Sequence, residues 1–195
     1  MKTLGSAVLA ATLAELEVTG CRPSAARIAA YFAPAERGGK PLGLTAGNWC
    51  AAGACFVAAQ VVGSSDLEAR GLPHRYRAAG LELQQDAERH PGAWRPIALV
   101  RSGGYQLEPG DLLILSRGSE SWQRHVARVE RTEGTRVLTI DANGPGGGWA
   151  RVTRELSAPS LLGAIAYPKA PPVVAGGSDG AELLALGALA LALSL

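Results

Sequence analysis

Phenylalanine and histidine are scarce in this chain, with two and three residues among 195. The hydrophobic 47% is normal in total but consists mainly of small and aliphatic residues, with many Ala and Leu. No run of Lys or Arg occurs, and nineteen basic residues against seventeen acidic ones leave a net charge of only +2. That balance describes an ordinary solvated surface and speaks against a nucleic-acid partner. Three cysteines is an odd number, so a disulfide framework is not expected and at least one thiol should be free. No second domain and no internal repeat is visible. The glycines of Gly144–Gly148 are not followed by a helix carrying a Lys, which excludes a phosphate cradle.

A transmembrane span is also missing. Leu183–Leu195 holds thirteen residues of Leu, Ala and Gly with one Ser. As a helix it would cover about 20 Å, short of a hydrocarbon core of ~30 Å. It follows a Pro/Gly-rich linker, so the expected organisation is a domain over residues 1–168 and a tail over 169–195. Membrane association of that tail is one of several readings the sequence leaves open. At the other end, Val18-Thr19-Gly20-Cys21 loosely resembles a lipoprotein cleavage box. Glu15 and Glu17 fall where a signal peptide needs an apolar core, so residues 3–18 read as a domain helix and Cys21 as a loop residue. No convincing signal peptide is present, so localisation stays open, with a cytoplasmic protein among the readings.

What the sequence does contain centres on Asn48-Trp49-Cys50-Ala51-Ala52-Gly53-Ala54-Cys55. Gly43, Thr45, Gly47 and Asn48 suit a turn and N-cap, and a helix from about Trp49 to Val62 follows. Cys50 then lies in the first turn, where free N–H groups and the helix dipole favour a thiolate. Cys55 falls roughly 140° around the wheel at 100° per residue, and reads as a packed core thiol.

Before this helix, a short one is expected from Pro23-Ser24 through Tyr31 and Phe32. After it, residues 73–90 carry a helical pattern, with His74 and His90 at its ends read as solvated or capping groups. The period then changes to two. Leu112–Leu115, His125–Glu130, Arg136–Asn143, Trp149–Leu156 and Leu161–Tyr167 read as strands. The expected fold is α+β, with the helices packed on one face of an antiparallel sheet built from residues 97–167. His125 shares a strand face with Ala127 and Val129, which is expected to lie over the Cys50 helix. Asp141 and Asn143 are two apart and are expected to point the same way.

A thiol nucleophile needs a base, and the base needs an acceptor on its far nitrogen. Cys50, His125 and Asp141 or Asn143 form such a set. Asn48-Trp49-Cys50-Ala51-Ala52, Pro109-Gly110-Asp111-Leu112, His125-Val126-Ala127-Arg128-Val129 and Thr139-Ile140-Asp141-Ala142-Asn143 follow in an order that resembles the papain-like cell-wall hydrolases of the CHAP and NlpC-like superfamily. The helix containing Arg27-Ile28-Ala29-Ala30-Tyr31 also fits, so the resemblance covers roughly residues 3–168.

It implies a papain-like fold with Cys50 as nucleophile, His125 as general base and Asp141 or Asn143 as the orienting residue, without metal or cofactor. The implied activity is cleavage of amide or peptide bonds, with peptidoglycan as the expected substrate. The competing expectation is a catalytically silent binding or phage-structural module of the same fold. A metal site from Cys50, Cys55 and a histidine is disfavoured by the gap between the cysteines and by the missing fourth ligand.

Overall fold

The computed structural model describes residues 3–37, 40, 41 and 48–169. The expected tail, Leu183–Leu195, lies outside them, as do Gly43, Thr45 and Gly47. Five α-helices and eight strands occur among the described residues: α1 Leu4–Val18, α2 Ala25–Phe32, β1 Glu36–Arg37, β2 Lys40–Pro41, α3 Cys50–Val62, α4 Gly80–Arg89, β3 Trp94–Pro96, α5 Ile97–Arg101, β4 Leu112–Ser116, β5 Arg124–Glu133, β6 Arg136–Asp141, β7 Ala150–Glu155 and β8 Leu161–Ile165. The strands β1 and β2 form a two-residue ribbon, while the other six make one sheet in the order β3-β8-β4-β5-β6-β7. Every pairing in that sheet is antiparallel, so the α+β expectation holds. None of the described helices is long and apolar enough to cross a membrane.

The first helices start where their caps place them. Thr3 Oγ1 accepts from the Ser6 N–H, and the Ser24 side chain accepts from the Arg27 N–H. Each thereby satisfies one of the free donors at a helix start. Helix α1 buries Leu4, Val8 and Leu16, but also Glu15. That carboxylate accepts from Arg27 Nε (2.8 Å) and Nη2 (2.5 Å), and from the Tyr31 hydroxyl (2.5 Å). Trp149 Nε1 donates in turn to the Tyr31 oxygen at 3.0 Å. Tyr31 lies 5.2 Å from Trp49 and 5.0 Å from Phe56 between ring centroids. The charge cluster thus anchors the aromatic group that flanks the start of α3.

Three expected boundaries move. The helix expected over 73–90 forms only over Gly80–Arg89. The Arg75 N–H donates instead to Asp86 and the Arg77 N–H to the Cys55 sulfur, while the Arg77 guanidinium clamps Asp86. Those bonds hold residues 75–77 outside a helix. The sheet begins at Trp94 rather than at residue 97, and Ile97–Arg101 is the short helix α5, starting after Pro96. His74 is fully buried, with Nδ1 on the Arg75 carbonyl (2.9 Å) and Nε2 on the Tyr167 hydroxyl (2.7 Å). Burial first of all pushes its pKa down to about 4, so it is a neutral core residue. His90, half-exposed, pairs with Glu68 at 2.9 Å.

The sheet separates two cores. Leu112, Ile114, Val126, Ile140 and Ile165 face the helices, together with the inner residues of α1 and α3. Leu113, Leu115, Ala127, Val129, Val137 and Ala164 pack on the opposite face with Val100 and Leu107. Arg128 locks α3 to the sheet. Its Nη1 donates to the Gly110 carbonyl (2.8 Å) and its Nη2 to the Ala54 carbonyl (3.2 Å), with the guanidinium over the Tyr167 ring.

Candidate active site

Helix α3 begins at Cys50, with Trp49 as the N-cap residue and no side-chain cap. Small residues surround the cysteine because neighbouring elements come close. A Cβ on Gly53 would stand 3.0 Å from the Trp49 ring and 3.2 Å from the Ala142 Cβ. The end of β6 therefore abuts the first turn of α3, close to where His125 and Asp141 lie on β5 and β6.

His125 stands opposite Leu115 in the β4–β5 register, and Asp141 stands opposite Ala127 in the β5–β6 register. Both therefore lie on the sheet face that carries Leu113, Leu115 and Val129. This overturns the expected placement of His125, Ala127 and Val129 over the Cys50 helix: Val126 and Arg128 face α3 instead. The imidazole still meets Cys50, because His125 is next to the beginning of β5 and Cys50 is the first residue of α3. The His125 side chain and the backbone N–H groups of Val126 and Ala51 lie near enough to the thiol to lower its pKa. The contact is made past the strand end rather than across the sheet face.

His125 Nε2 lies 2.7 Å from Asp141 Oδ2. Its Nδ1 is buried and makes no hydrogen bond of ordinary geometry among the described residues, which leaves that nitrogen for the thiol. Burial pushes the Cys50 thiol up, but the neighbouring His125 imidazole and the backbone N–H groups outweigh it and hold the thiol below its usual value. Burial works the other way on His125; the bond to Asp141 and the interaction with Cys50 overcome it and raise the imidazole to about 9. The two shifts run in opposite directions, and each favours the charged form of its group. They belong to the pair as a unit.

Asp141 is fully enclosed in donors. Arg154 Nη2 and Nη1 reach its two oxygens, and the Thr139 hydroxyl donates to Oδ1 at 2.7 Å. Burial raises its pKa, while His125 and Arg154 together bring it below the ordinary carboxylate value. Neither Thr139 nor Arg154 is singled out by sequence. Thr139 shares the Asp141 face of β6 by alternation, which is legible, but Arg154 depends on the β6–β7 register.

Asn143 is placed differently from Asp141. The strand ends at Asp141, and Asn143 has a left-handed backbone, φ +54°. The alternation that would have aligned the two side chains therefore stops before reaching it. Its Nδ2 donates to Asn48 Oδ1 at 3.2 Å, so Asp141 alone occupies the far nitrogen of His125. Cys55 is completely buried, accepts from the Arg77 N–H at 3.4 Å, and is pushed up to about 12 chiefly by burial. Among the described residues no cluster of three or more His, Cys, Asp or Glu is arranged to hold a metal.

Two openings flank the Cys50–His125 pair. One, of about 520 Å³, is lined by His125, Asp141, Asn143, Arg154 and the Gly144–Gly147 turn. The other, of about 240 Å³, contains Asn48, Cys50, Ala79, Gly80 and Arg124. Arg117 borders both. Cys50 is only 2% exposed, so reagents reach it through the smaller opening.

This geometry predicts selective alkylation. Iodoacetamide at neutral pH should modify Cys50 well before Cys55, as followed by peptide mass spectrometry. The Cys50 rate should persist below the pH range of an ordinary thiol because its pKa is lowered, whereas Cys55 should stay unmodified until the chain unfolds. Faster labelling of Cys55 in the folded protein would reverse the assignment. Comparison of the chain with family models, with curated proteins and with solved structures returns no match.

Proposed function

We propose that the protein is a thiol-dependent hydrolase that cleaves amide or peptide bonds, with peptidoglycan as substrate and a papain-like arrangement of its site. The observation that carries this reading is His125, bonded to Asp141 through Nε2 at 2.7 Å with its buried Nδ1 left open beside Cys50, whose thiol pKa is lowered while the imidazole pKa is raised. The resemblance to CHAP and NlpC-like hydrolases supplies the substrate class.

In this mechanism the Cys50 thiolate attacks the carbonyl carbon of the scissile bond. The negative charge moves to the carbonyl oxygen. The Cys50 N–H, at the first position of α3, has no acceptor within the helix and can donate to that oxygen. Asn48 supplies a second donor: its Oδ1 is occupied by Asn143, its Nδ2 has no partner among the described residues, and it lines the same opening as Cys50. Asn143 therefore positions Asn48 rather than His125. The His125 imidazolium gives its Nδ1 proton to the departing amine, leaving a thioester on Cys50. The neutral imidazole then takes a proton from water, the hydroxide attacks the thioester, and the thiol leaves as the carboxylic acid is released. Asp141 holds Nε2–H throughout and stabilises the imidazolium.

The pH dependence follows from the shifts. Turnover should rise as the thiol loses its proton, at a pH below the usual thiol range, and fall as His125 loses its proton near pH 9. The direct test is zymography on purified cell walls, with mass spectrometry of released fragments. Clearing by the parent chain and none by Cys50→Ala is expected. A folded parent chain that releases nothing from cell walls or peptide amides would leave a binding module as the surviving reading.

A further inference from the structure

The walls of the two openings are cationic. Among the described residues the only carboxylate lining either one is Asp141, and it is already bonded to His125, Thr139 and Arg154. Arg117 and Arg124 have no such partner. Arg124 Nε reaches the neutral Gln84 side chain and its Nη1 the Gln123 carbonyl, both at 3.4 Å. Arg117 makes no side-chain hydrogen bond or ion pair among the described residues, and its side chain borders both openings. Trp122, 61% exposed, stands beside Arg117 and Arg124 on the rim of the opening that contains Cys50. Two arginines lining the same opening as a thiol, with no carboxylate among the described residues lining that opening, are matched to a free carboxylate on the substrate.

We propose that Arg117 and Arg124 select substrates carrying a free carboxylate next to the scissile bond, so that the chain acts on acidic peptides. This rests on the hydrolase reading above, and it deepens it by naming the substrate class. The charged residue sits in the smaller opening, against the two guanidinium groups, with the carbonyl over Cys50. The Trp122 ring covers the neighbouring apolar part of the chain. Neutral isosteres lose the ion pair and leave both arginines solvated rather than bonded, which is the source of discrimination.

The test uses alkylation as well as turnover. Iodoacetate and iodoacetamide differ in charge, and either forms an S–C bond with the Cys50 thiolate as iodide leaves. The exposed Cys21 serves as the reference within the same molecule. The iodoacetate-to-iodoacetamide rate ratio should be higher at Cys50 than at Cys21, and should shrink with added salt. Arg117→Gln and Arg124→Gln should each lower the Cys50 ratio by roughly two- to fivefold, whereas Arg117→Lys should retain most of it. In parallel, two peptide amides differing only by Glu or Gln beside the scissile bond should differ in kcat/KM in the same direction.

Equal ratios at Cys50 and Cys21, unmoved by either Gln variant, would overturn the proposal even if both peptides are cleaved. An elevated ratio that falls in both variants supports the anion site even if neither peptide is cleaved, in which case only the hydrolase reading fails.

Discussion

His125→Ala is expected to lower kcat/KM by about 10²–10⁴-fold, the range of a lost general base, with the thermal unfolding temperature close to that of the parent. Among the described residues the ring's only hydrogen bond is to Asp141, which Arg154 and Thr139 also hold, so its removal empties the site without stranding a third group. Asp141→Asn should fall within the same range, because the amide keeps the shape but no longer compels Nε2 to carry the proton. Arg154 would then face an uncharged partner, so the double change Asp141→Asn/Arg154→Gln separates that cost from the loss of orientation. Asn143→Ala should cost less than Asp141→Asn, since Asn143 bonds Asn48 and not the imidazole. The measurement is steady-state hydrolysis of a peptide amide beside thermal unfolding of each variant. A larger loss in Asn143→Ala than in Asp141→Asn would invert the roles assigned to the two residues.

The second large effect concerns stability. Arg27→Met should destabilise the fold by about 3–5 kcal/mol, the range for breaking a buried ion pair by removing one partner. Glu15 is left with a side chain only 3% exposed and only the Tyr31 hydroxyl to answer its charge. Urea denaturation followed by Trp fluorescence measures the loss, since Trp149 donates to Tyr31 and Trp49 packs on it. The double variant Glu15→Gln/Arg27→Met should recover part of the loss, because the stranded charge is gone. A single-variant change below about 1 kcal/mol, the range of exposed pairs, would mean that solvent reaches Glu15.

Much of the architecture is legible because its signals are local. Thr3 and Ser24 announce the starts of α1 and α2, and the apolar run from Ala51 to Val62 gives the extent of α3. Alternation and turn residues give the strands from Leu112 onward. The position of Cys50 at a helix start, and of Cys55 in the core, follows from the wheel alone. What the sequence conceals is long-range. The face of β5 that meets α3 is set by Arg128 reaching the Ala54 carbonyl, a buried cation where alternation suggests a polar outer position. Asp141 and Asn143 look equivalent by alternation until the left-handed turn at Asn143 separates them, a turn whose local signal is Asn143-Gly144-Pro145. Arg154 enters the site only through the pairing of β6 with β7. Residues 73–79 lose their helix to Asp86 and Cys55, partners that periodicity does not reveal.

The hairpin of β5 and β6 has a consequence for how the molecule matures. His125, Thr139 and Asp141 belong to two adjacent strands joined at Gly134 and Thr135, and Arg154 lies on the next strand. Contacts this close in sequence close small loops and form early, at low entropic cost. Cys50 comes from a helix far upstream and reaches the imidazole only once α3 has docked on the sheet. Before docking, the sulfur lacks the positive neighbour that strips its proton. A nascent or partly unfolded chain therefore carries an ordinary, sluggish thiol, and chemical competence arrives together with the completed core.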